Sequence, residues 1–87
     1  MAVITFDDVQ YKQEGGAAVL VGTVNSATAA DTIDITTYLK GREIMNVSGA
    51  NVTDAVSLTY TYDTSNVITV PAGPSTDKIS IEVTLKA

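Results

Sequence analysis

The sequence predicts a small all-β fold: a single-domain β-sandwich or partly open barrel of about seven mostly antiparallel strands, spanning residues 1–87. Three observations predict it. Val, Ile and Thr make up 31 of the 87 residues, and these β-branched side chains lose rotamer freedom in a helix but fit a pleated sheet. Apolar and polar residues alternate in several stretches, the period of a strand with one buried face. Turn-forming residues punctuate the chain at short spacing, and no segment carries a helical period.

The elements follow in chain order. Val3 to Phe6 reads as a short strand that continues through Val9 to Tyr11, and Glu14-Gly15-Gly16 reads as a turn. Ala17 to Val24 is a nearly continuous apolar run, as in a central strand buried on both faces. Asn25 to Asp31 is small and polar and reads as a loop. Thr32 to Thr36 alternates with Ile33 and Ile35 inward, and Tyr38-Leu39-Lys40-Gly41 fits a single helical turn or a bend. In Glu43 to Ser48, Ile44 and Asn46 oppose Met45 and Val47, so both faces are expected to be partly covered. Gly49 to Asp54 reads as a loop.

Ala55 to Tyr62 places Val56, Leu58, Tyr60 and Tyr62 on one face. Asp63-Thr64-Ser65-Asn66 is a turn, because such side chains satisfy their local backbone, and Val67 to Val70 returns as the second arm of a hairpin. Pro71 and Pro74 then remove ladder donors, which makes Pro71 to Thr76 a loop. Lys78 to Lys86 is the most regular alternation, with Ile79, Ile81, Val83 and Leu85 on one side. Its apolar face is expected to pack against that of Val56 to Tyr62.

Composition bounds the chemistry. The chain has no Cys and no His, so it can form no disulfide, no Cys/His zinc site, no Ser–His dyad and no Cys nucleophile. The lone Gly15-Gly16 pair lacks the context of a phosphate loop. The expectation is a protein that is not an enzyme and takes no cofactor. Net charge is −5, which disfavours nucleic acid and anionic lipid as partners. The stretch from Met1 to Asp8 lacks the basic region and apolar length of a signal peptide or membrane span.

Several side chains are candidates for sites. Lys40 and Arg42 are close enough for a local anion contact, although a solvated turn is the plainer reading. Asp31 and Asp34, with Thr32, offer oxygens to calcium, but the spacing is not that of an EF-hand, and a soluble loop edge explains them as well. Asp7 and Asp8 are adjacent, so in a strand they face opposite ways. Asn46-Val47-Ser48 and Asn51-Val52-Thr53 match the glycosylation acceptor pattern, as chance allows in a Ser/Thr-rich chain. Tyr60 and Tyr62 read as core or core margin, the sharper alternative being a patch that faces a partner.

The stretch Ala30-Asp31-Thr32-Ile33-Asp34-Ile35-Thr36-Thr37-Tyr38-Leu39-Lys40-Gly41 resembles a phrase common in short structural proteins of tailed phages. The similarity extends loosely through Glu43 to Val47 and the Tyr60 to Val70 hairpin. The resemblance implies a virion structural protein, foremost a capsid decoration (cement) protein that binds and stabilises the assembled head. Its partners would be the major capsid protein or other virion subunits and copies of itself, with a trimer favoured. It would be made in the host cytoplasm and end on the capsid surface. A neck or tail component is the alternative; a carbohydrate- or surface-binding module is another, disfavoured by the absence of Trp. The candidate partner-contact residues are Val3, Ile4 and Phe6, in an apolar strand able to join a neighbour's sheet edge, and Tyr38, Leu39 and Arg42.

Overall fold

The computed structural model describes residues 2–14 and 17–86; the expected Gly15-Gly16 turn lies outside the described residues. Among the described residues, eight strands form two sheets around one core, so the all-β expectation holds in its sandwich-like form. The larger sheet has the order β1-β2-β8-β4-β5, with β1 at Asp8–Glu14, β2 at Ala17–Ala27, β4 at Ile44–Asn51, β5 at Val56–Leu58 and β8 at Asp77–Leu85. The smaller has the order β3-β7-β6, with β3 at Thr32–Asp34, β6 at Thr61–Tyr62 and β7 at Val67–Thr69. Every ladder between these strands is antiparallel.

The C-terminal alternation supplies the centre. β8 lies between β2 and β4, and Ile79, Ile81, Val83 and Leu85 are all buried. Opposite them, Ala18, Leu20 and Val24 come from β2 and Val47 from β4, while Ile33, Ile68 and Val70 enter from the smaller sheet. β2 is central, as its apolar run suggests, and Val19 on the other face is buried as well.

Five features differ from the sequence reading. Val56 to Tyr62 is not one strand. It breaks at Thr59-Tyr60 and passes from the larger sheet to the smaller. Only Leu58 and Tyr60 therefore reach the core, and Val56 and Tyr62 are exposed. In β4 the register shifts between Ile44 and Asn46. Such a bulge inserts one residue and changes the phase of alternation. Ile44 and Val47 thus both pack on the core, and Met45 is exposed.

Strand β2 runs on to Ala27 through a second register shift, where a loop was expected, and Ala27 is buried. Gly49 to Asn51 likewise belongs to β4, and the turn that follows is Val52 to Ala55. The expected 38–41 turn is real but begins earlier: helix α1 spans Thr36–Leu39 and ends on Lys40 and Gly41 at φ 53° and 82°. A residue with positive φ is a common way to stop a helix.

Two glycines explain how the chain crosses between sheets. Gly22 and Gly49 flank Ile81 on its two sides in the larger sheet. The Phe6 ring lies over Gly22 and the Tyr60 ring over Gly49, so close that a Cβ on either glycine would overlap them, at 2.5 Å and 2.7 Å. Phe6 lies where the N-terminal segment enters the larger sheet, and Tyr60 where β5 leaves it. An aromatic ring over a strand glycine restores the apolar cover that the glycine lacks. The Tyr60 hydroxyl also donates to the Ser80 carbonyl at 2.9 Å. Burial pushes its pKa far above the ordinary tyrosine range, so it remains a donor.

At the far end of the larger sheet, buried Asn51 donates through Nδ2 to Asp77 at 2.9 Å and to Asp54 at 3.2 Å. The Asn51 bond first, then the Ser75 amide, holds the Asp77 carboxyl below its ordinary value. The Thr36 hydroxyl does the same for Asp34. A carboxylate depressed in the folded state stabilises the fold above its unfolded pKa, about 4, and that contribution is lost as pH falls through the lower folded value. Thermal unfolding should therefore move to lower temperature on acidification from about pH 5 to about pH 2. Asp77→Asn should flatten that slope; an unchanged slope would contradict the assignment.

Candidate docking surface

The N-terminal segment does not form an independent strand. It lies beside β3, where Val3 makes a single parallel bridge with Thr32. Ile4 donates its amide to the Thr32 carbonyl, and Thr32 donates back to the Ala2 carbonyl, both at 2.8 Å. Asp31 fixes this arrangement: its buried carboxylate accepts from the Ala2 amide at 3.0 Å and the Thr28 amide at 2.9 Å. Asp34 instead accepts from Thr36. The two carboxylates considered for calcium therefore serve separate local bonds, and among the described residues no group of three acidic side chains is placed to hold a metal ion.

The six candidate contact residues divide by exposure. Val3 is 81% exposed. Ile4 and Phe6 are partly buried against the core, and Leu39 is buried. Phe6 meets Tyr38 edge-on, with ring centroids 5.3 Å apart, a favoured aromatic geometry. This contact joins the two candidate groups, which the sequence offered separately.

Beyond Tyr38 the surface turns basic. The Tyr11 hydroxyl donates to the Tyr38 carbonyl at 2.7 Å. Partial burial first, and Tyr38 second, raise the Tyr11 pKa, so it remains a neutral donor. Lys40 Nζ sits 4.3 Å from the Tyr11 ring centroid, within cation–π range. Lys12 arrives from β1 and Arg42 from the turn after α1. Together with Ala18, Leu39 and Leu85 these residues line a concavity of about 270 Å³. On the other side of Arg42 lies a wider depression lined by Glu43, Ile44, Tyr62, Asp63, Thr64 and Asn66.

Sequence reasoning singled out Lys40 and Arg42 but missed Lys12 and Tyr11, which are far from them along the chain and reach the site only through the β1–β2 pairing. The glycosylation pattern at Asn51 falls on a buried, bonded side chain, whereas Asn46 is exposed. No protein-family model, curated protein or solved structure matches the chain.

Proposed function

We propose that this domain is a non-enzymatic docking protein of a tailed-phage virion, a decoration protein that binds the assembled head. The observation that carries the reading is continuity: the N-terminal arm with exposed Val3, the Phe6–Tyr38 contact and the Tyr11/Lys40/Arg42 end follow one another. The arm is tied to β3 by few backbone bonds, and strand addition of this kind transfers readily to a neighbour's sheet edge. A ligand that binds only the assembled shell stabilises it by linkage, and repetition over a lattice multiplies modest contacts.

A tagged copy supplied during particle assembly should band with purified heads in a density gradient. Recovery only in the soluble fraction would overturn the reading. Removing residues 2–6 is a poor test of the arm, because it also strips Phe6 from Gly22. Val3→Glu alters the arm at an exposed position and should leave thermal stability within about 0.5 kcal/mol while reducing head binding. Undiminished binding would remove the arm from the contact.

A further inference from the structure

We infer that the concavity beside Arg42 receives an acidic side chain of a partner protein, one Glu or Asp flanked by apolar residues. The inference deepens the docking reading by naming what the partner offers, and it rests on that reading. The chain carries five cations against ten acidic residues, yet Lys12, Lys40 and Arg42 share this one recess, and among the described residues no acidic side chain lines it. In a protein of net charge −5, such a concentration is a local reversal of field, and it draws anions.

Arg42 supplies the second observation. Its Nη1 is shielded from solvent and has no hydrogen-bond acceptor, so it gains one from the recess only when the guanidinium turns into it. A buried donor without a partner carries an uncompensated desolvation cost. A carboxylate is the planar acceptor that a guanidinium fork matches, and the two lysines add point charges around it.

The rest of the recess selects among anions. Leu39, Leu85 and the Tyr11 ring give it an apolar wall, which favours a carboxylate on an aliphatic stem over a bare inorganic ion. Its volume, about 270 Å³, falls below the usual range for a drug-sized ligand and suits a side chain or two. The neighbouring depression carries Glu43 and Asp63. A run of phosphates or of consecutive acidic residues crossing Arg42 would meet those carboxylates, so a single acid between apolar neighbours fits and a polyanion does not.

The test uses the isotopically labelled full chain, titrated at low salt with a capped pentapeptide holding one glutamate between two leucines. Saturable amide shifts are expected at Leu39, Lys40 and Arg42. A matched peptide with glutamine in place of glutamate should bind roughly tenfold more weakly, the loss expected for a charge-assisted bond. Arg42→Gln should weaken the glutamate peptide by a similar factor, about tenfold, and Lys78→Gln, far along β8, should leave it unchanged. Absence of saturation, equal binding of the two peptides, or inorganic phosphate saturating the same amides as tightly would each overturn the inference. If the peptide fails while the protein still bands with heads, only this inference falls. If the peptide binds and head association fails, the recess stands and the virion reading falls.

Discussion

Ile81→Asp should leave the protein unfolded at room temperature. Ile81 is fully buried on the middle strand of the larger sheet, between Gly22 and Gly49 and beneath the rings that cover them. Two costs add. Truncating a buried Ile forfeits about 2–5 kcal/mol of transfer and packing energy. A carboxylate in its place would sit in an apolar layer with no cation, and it would either remain charged at a cost of several kcal/mol or take up a proton. A domain of 87 residues has roughly 4–13 kcal/mol in total at typical values per residue. The penalty is of the same size as the whole. Circular dichroism should show loss of the strand signal, whereas Ile81→Val should fold and lose only about 0.5–1.5 kcal/mol. A folded Ile81→Asp with a normal melting temperature would overturn the core assignment.

Gly49→Ala should be the most damaging single-methyl change in the chain. The added Cβ would run into the Ser80 carbonyl of the adjacent strand and lie 2.7 Å from the Tyr60 ring. A flexible side chain could swing aside, but the Ser80 carbonyl is backbone in the central strand. The sheet would have to open, at about 1–3 kcal/mol or more for overpacking of this kind. Gly49 is not among the glycines with positive φ, so the requirement is for space and not for an unusual backbone conformation. That distinction is testable. Combining Gly49→Ala with Tyr60→Leu removes the ring and its hydroxyl bond to Ser80, but leaves the backbone clash. The double variant should therefore be no more stable than Gly49→Ala, as read by urea denaturation. Full rescue by Tyr60→Leu would locate the obstacle in the ring alone.

These two positions also separate what was legible in the sequence from what was not. Ile81 belongs to a strict alternation, Ile79 to Leu85, and alternation alone assigns it to the buried face because strand side chains have a period of two. Gly49 sits in a stretch that reads as a loop, since glycine and asparagine favour turns when only neighbours along the chain are considered. Nothing local indicates that a tyrosine eleven positions on folds back over it.

The same division holds at the candidate docking surface. Lys40 and Arg42 are close in sequence, and their pairing could be read directly. Tyr11 and Lys12 reach them only through strand pairing, and Leu85 through the far end of β8. The break of Val56 to Tyr62 into strands of two different sheets was equally hidden: uninterrupted alternation continues across a bend that tertiary packing imposes.

By itself, then, the sequence determined the all-β class, the inward face of the Lys78 to Lys86 strand, the interior position of β2, the 62–67 hairpin and the absence of thiol and imidazole chemistry. All of these follow from composition and short-range periodicity. Tertiary structure alone decided the sheet in which each short strand lies, the bulges that change the inward phase, the rings seated on Gly22 and Gly49, and the gathering of three cations at one end of an acidic domain. The reason is that these features depend on contacts between segments distant along the chain, which local backbone preference does not encode.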